Sequence, residues 1–133
     1  KRALSQLPET KGMNNHQGST ATENERIMSV VGSVLKKRGK FFVDSRTSPR
    51  TIGNSVMKRL GVKTAIRNVF LDNEADKNTI NNQIDQLIKI AKQKGSAIGV
   101  GHARPLTLKI LQERIPKLEK SGFQFTFVSE LVH

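Results

Sequence analysis

His16, Asp44, Asp72 and His102 are the side chains of this sequence whose types can do hydrolytic chemistry together. A neutral imidazole is a common zinc ligand and carboxylates complete such sites. A water acidified by the metal is the usual nucleophile for amides and esters. The 133 residues include no cysteine, so any metal must be held by histidine or carboxylate. There is no HExxH and no histidine pair at i, i+4, so such a site has to be assembled from distant segments. Each residue also has a plainer reading. His16 suits a turn, and His102 suits the start of a helix after a buried strand. Asp44 can cap its own loop, and Asp72, in the run LDNEAD, is read first as a cap. Asn14 and Asn15 can satisfy loop backbone, and Arg46 and Arg50 can be surface charge.

The elements that would position these groups follow from period and punctuation. Residues 1–7 read as the end of a helix closed by Pro8, followed by a short strand at 12–14 and a polar loop at 15–22. Residues 23–38 carry Ile27, Val30, Val31, Val34 and Leu35 at helical spacing, with Gly39 as the terminator. A strand at 40–43, a loop at 44–51, a helix at 53–60 ended by Gly61, and strand-like runs at 63–66 and 69–71 come next. Ile80, Ile84, Leu87, Ile88 and Ala91 form one stripe of a helix started by Asp76 or Asn78 and stopped by Gly95. Residues 96–100 are a buried-type strand, Pro105 opens a helix to about Lys120, and 123–128 reads as a last strand.

Strand and helix alternate, which predicts an α/β fold of parallel βαβ units around a single core. In such folds the reactive groups gather on loops after the C-terminal strand ends. That filter selects Asn14, Asn15, His16, Gly18 and Ser19 after the first strand, Asp44 to Thr47 after the second, then Asp72, and finally His102.

Net charge is +12, from 23 Lys+Arg against 11 Asp+Glu, which favours a polyanionic partner such as nucleic acid, an acidic membrane or an anionic wall polymer. The basic residues are spread along the chain without a run of five, the pattern of solvated helix faces. Tyr and Trp are absent and the six Phe fall mostly in strand-like runs, which argues against base stacking and a nucleic-acid partner. No stretch approaches the roughly 18 apolar residues of a spanning helix.

Four segments, in order, resemble the divergent polysaccharide deacetylase family. Gly12-Met13-Asn14-Asn15-His16-Gln17-Gly18-Ser19 resembles its GxNNHxGS signature, and Phe41-Phe42-Val43-Asp44-Ser45-Arg46-Thr47 its F-x-D-S segment. Asn68-Val69-Phe70-Leu71-Asp72 is similar to VFLD, and Ala97-Ile98-Gly99-Val100-Gly101-His102-Ala103-Arg104-Pro105 to AIGIGHPxP. The resemblance implies part of a deformed (β/α) barrel of the glycoside hydrolase/deacetylase type. It also implies a divalent metal, usually zinc, and removal of acetyl groups from N- or O-acetylated sugars of a polysaccharide or cell-wall glycan outside the cytoplasm. By the same resemblance His16 is a metal ligand, and His102 protonates the departing amine or alcohol. Asp44 holds or orients a catalytic group with Arg46 beside it, while Asn14, Asn15 and Ser19 shape the pocket or bond sugar hydroxyls.

Family members also carry, upstream, a strand ending in Asp-Asp and a His-Leu-Pro segment, neither of which occurs here. Residues 1–133, which begin in what reads as mid-helix, are therefore expected to be the C-terminal portion of one deacetylase-like domain. They should hold at most part of a metal shell, bind metal weakly or not at all in isolation, and be inactive alone. The other reading is a non-catalytic module that holds a glycan or a protein in the same cleft.

Overall fold

The computed structural model describes residues 5–15 and 19–133. Two of the expectations fall on other residues: the metal-ligand role of His16, and the first four residues of the expected N-terminal helix. Both lie outside the described residues, as does the side chain of Ser19.

The chain forms two compact units, one from Lys1–Ile66 with Val128–His133, the other from Arg67–Phe127. In the first, β1 (Gly12–Asn14), β2 (Phe41–Asp44) and β3 (Thr64–Ile66) make a parallel sheet in that order. The register pairs Asn14 with Val43 and Asp44 with Ile66. Gly12 is needed at its position, because a Cβ there would lie 2.3 Å from the Phe41 ring. A helical turn, α1 (Ser19–Thr22), stands where a polar loop was expected. It is followed by α2 (Glu25–Lys37), whose cap Asn24 accepts from the Ile27 N–H at 3.1 Å. The helix α3 (Gly53–Arg59) connects β2 to β3.

The core of this unit is Met28, Leu35, Phe42, Val56, Met57 and Val62. The buried face of α2 is Met28, Gly32 and Leu35, while Ile27 and Val30, placed on the apolar stripe by spacing alone, are exposed. Gly32 lets α2 pack closely on the end of α3: a Cβ there would sit 2.6 Å from Leu60 Cδ1 and 3.1 Å from Met57 Sδ, so those side chains would have to shift.

In the second unit, β4 (Val69–Phe70) and β5 (Gly99–Val100) pair in parallel, Val69 with Gly99 and Phe70 with Val100. The helix α4 (Lys77–Lys94) joins them, and α5 (Pro105–Lys120) follows β5. Asp76 caps α4 by accepting from the Thr79 N–H, and Gly95 ends it at φ +88°. Ile80 and Ile84 from α4 and Ile110 from α5 form the core with Val69 and Leu71, as the periodicity predicts for α4.

The expected strand at 123–128 is absent from both sheets. Phe125 and Phe127 are exposed there, and Val128–Glu130 is a 3₁₀ turn. Alternation of apolar residues defines which face a strand would bury, but a strand exists only where a neighbour takes its backbone groups. At the C-terminal end His133 and Thr64 exchange both backbone hydrogen bonds at 3.1 Å.

Candidate active site

The parallel register of β4 and β5 offsets partners by 30 residues, and the same offset carries Asp72 to His102 just past the strand ends. Leu71 N–H still donates to Val100 O at 2.8 Å, so the two residues leave the ladder side by side. Asp72 Oδ1 lies 2.8 Å from His102 Nδ1. Asp72 Oδ2 accepts from the His102 backbone N–H at 2.8 Å and from the Thr107 hydroxyl at 2.7 Å. Asp72 is 1% exposed, whereas the His102 side chain is 26% exposed: the carboxylate is an internal anchor and the imidazole reaches solvent. The Phe70 ring, one strand pleat before Asp72, stands 5.6 Å from the imidazole at 51° and backs it with an apolar surface.

Burial alone would push the Asp72 carboxyl up, but the Thr107 hydroxyl, the His102 ring and the His102 N–H outweigh it and hold the group below its ordinary value. It is therefore an anion at neutral pH, and an ionised carboxylate can only accept. His102 Nδ1 must then carry the hydrogen, which makes Nε2 the ring atom that can exchange a proton with a substrate. Reading Asp72 as a helix cap is corrected by this geometry: Asp76 caps α4, and Asp72 orients His102. The signal available in the sequence was the matched spacing, Val69 to Asp72 against Gly99 to His102. Thr107 carried no such signal.

The first unit builds a different arrangement at the end of β2. Asp44, 1% exposed, accepts from the Arg46 N–H through Oδ1 and from the Thr51 hydroxyl through Oδ2, both at 2.9 Å. Thr51 Oγ1 in turn accepts from the Gly53 N–H at the start of α3. Gly53 is small for a reason, since a Cβ there would press on Asp44 Oδ2 at 3.1 Å. Just past β1, Asn15 accepts from the Ser45 N–H at 2.8 Å and donates to Thr47 Oγ1 at 3.3 Å, and from the end of β1 the Asn14 amide donates to Ser45 Oγ at 3.1 Å. Ser48 bonds Glu23, which also pairs with Arg50 at 3.4 Å. Asn14 and Asn15 thus shape the loop, and Asp44 holds it from inside.

That loop forces Arg46 to φ +51°, a left-handed conformation that costs an L-residue about 1–2 kcal/mol. Arg46→Gly is expected to raise stability by roughly 0.5–1 kcal/mol in urea unfolding, because glycine adopts this backbone freely. A loss of stability would mean that the contacts of the side chain outweigh the strain.

Among the described residues no three His, Asp or Glu side chains come together as a metal shell. Asp44 and Asp72 each have both oxygens engaged in hydrogen bonds. The described residues therefore do not by themselves fit a complete zinc site. No helix among them is long and apolar enough to cross a membrane.

A family model described as divergent polysaccharide deacetylase matches residues 1–132. An uncharacterized protein of Haemophilus influenzae is 36% identical over 107 residues, 80% of this chain and 38% of that protein. The uncharacterized protein YibQ of Escherichia coli is 34% identical over 116 residues, 87% of this chain and 36% of its own length. The crystal structure of an uncharacterized protein from Agrobacterium tumefaciens superposes with a TM-score of 0.88 at 25% identity, over 92% of this chain and 50% of that one. The chain thus spans well under half the length of the curated relatives it matches.

Proposed function

This chain belongs to the divergent polysaccharide deacetylase family, and from that membership we propose that it forms part of a hydrolase that removes acetyl groups from an extracytoplasmic glycan, on a (β/α)-barrel scaffold. The observation that carries the reading is the Asp72–His102 pair, a buried anion holding an accessible imidazole by its Nδ1.

In the proposed reaction water adds to the acetyl carbonyl carbon, and the carbon–nitrogen or carbon–oxygen bond to the sugar breaks as acetate forms. The departing sugar atom needs a proton. His102 in its doubly protonated form gives it from Nε2, with Asp72 compensating the charge of that form, while the proton lost by the attacking water passes to a base outside the described residues and from there, through solvent, restores the Nε2 proton. Phe70 limits the water around the ring. Arg46 donates hydrogen bonds to the glycan from the loop that Asp44, Asn14 and Asn15 hold, and Ser19 contributes a hydroxyl to the same recognition. A zinc ion bound through His16, with ligands from outside the described residues, would supply acidification of the water and polarisation of the carbonyl.

The second reading, a glycan- or protein-binding module without catalysis, is favoured by one observation: both oxygens of Asp44 are spent inside the loop. The two readings separate in one experiment on the full-length gene product, purified without chelators. Deacetylation requires acetate release from a panel of N- and O-acetylated glycans and about one zinc per chain that His16→Ala removes. Glycan retention without acetate release, and no metal in either form, would establish the binding module instead.

A further inference from the structure

The geometry points to Thr107 as the positioning residue that fixes which oxygen of Asp72 faces the His102 ring, an inference that rests on the catalytic reading of His102. A carboxylate beside an imidazole can rotate, and only one of its oxygens can serve Nδ1 at a time. Here the two oxygens have separate tasks. Oδ2 takes two donors, the His102 backbone N–H at 2.8 Å and the Thr107 hydroxyl at 2.7 Å, which leaves Oδ1 for Nδ1 at 2.8 Å. Thr107 is 1% exposed, and its hydroxyl proton goes to this carboxylate. Its own orientation is set by packing: the Cγ2 methyl lies 3.4 Å from where a Cβ on Gly101 would stand. That residue has none, so the threonine fits against the backbone just before His102. A β-branched side chain in a helix has few χ1 choices, and with the methyl on Gly101 the hydroxyl is aimed at Asp72. The third residue of α5 thereby reports the helix position to the imidazole through one carboxylate.

The consequence is a defined ring tautomer. With Oδ1 held on Nδ1, neutral His102 carries its hydrogen on Nδ1. Without the hydroxyl, Oδ2 keeps one donor, the carboxylate can turn, and the ring gains the Nε2–H form that imidazoles prefer in water. The test is ¹⁵N NMR of the His102 ring, above its titration, in wild type, Thr107→Val, Thr107→Ala and Thr107→Ser, each checked for a folded amide spectrum. Wild type and Thr107→Ser should show Nδ1–H, while Thr107→Val and Thr107→Ala should raise the Nε2–H fraction several-fold. Their kcat for acetate release should fall on the order of tenfold with KM unchanged, the size of one lost hydrogen bond to a charged group. A wild-type tautomer in both variants that lack the hydroxyl overturns the inference. So does a wild-type tautomer in Thr107→Val together with a raised Nε2–H fraction in Thr107→Ser, which would make the methyl the working group. The NMR result does not depend on turnover: absence of acetate release in wild type would refute the deacetylase reading and leave the tautomer outcome standing on its own.

Discussion

Asp72→Asn is expected to destabilise the protein by about 2–4 kcal/mol at neutral pH, measured by urea unfolding. The wild-type carboxylate satisfies three donors, the His102 N–H, the Thr107 hydroxyl and the His102 ring. An amide has one oxygen and one NH₂, so with its oxygen on the two donors that Oδ2 serves, its NH₂ meets Nδ1: either two donors face each other or the ring is driven to the Nε2–H tautomer, and in both cases the bonds to a charged acceptor are lost. At 1% exposure water cannot repair the mismatch. The pH dependence follows from the direction of the Asp72 shift. Its folded-state value lies below the ordinary 3.8, so its stabilisation is complete above that value and is lost as pH falls through the lower, folded one. The stability curves of wild type and Asp72→Asn should therefore diverge at neutral pH and converge in acid below the ordinary carboxylate range. Parallel curves down to about pH 2 would mean that Asp72 is not held as an anion.

Much of this arrangement was legible in the sequence, for reasons that differ from residue to residue. Pro105 and the run to Lys120 mark α5, and Gly95 marks the end of α4, because each does something to the backbone that few residues can. His102 was legible as a chemically apt residue past a buried strand. Asp72 was legible as an acid at a strand end, but its pairing with His102 rests on the matched spacing alone, because LDNEAD offers three acids near a helix start and residue type does not tell which one caps and which one turns inward. The three-dimensional register decides it. On α2 the expected stripe is right at Val31 and Leu35 and wrong at Ile27 and Val30, because Ile27 and Val30 are as apolar as Met28 and composition alone does not tell which of them faces the core. Residues 123–128 carry the apolar alternation of a strand but pair into neither sheet. The sequence offers Asp44 two readings, orienting a catalytic group or capping its own loop, and the bonds it makes, to the Arg46 N–H and the Thr51 hydroxyl, are those of the loop. Thr107 had no signal at all: a threonine in the first turn of a helix is common, and only the carboxylate above it gives it a task.

His102→Gln is expected to lower kcat for acetate release by about 10²–10⁴, the contribution of one general acid. Glutamine is the informative replacement because its amide N–H can still bond Asp72, so the buried anion keeps a donor and the fold should lose far less stability than in Asp72→Asn. What glutamine cannot do is carry a proton to the leaving atom. KM should stay within a few-fold, since the proton transfer is made only in the transition state. The decisive measurement is acetate release by full-length wild type and His102→Gln on the same acetylated glycan at saturation, with glycan binding measured alongside. A fall in kcat of two orders of magnitude or more, with binding retained, is the expected result. Equal kcat for the two proteins would contradict the assignment of His102 as the acid and, with it, the role given to Asp72.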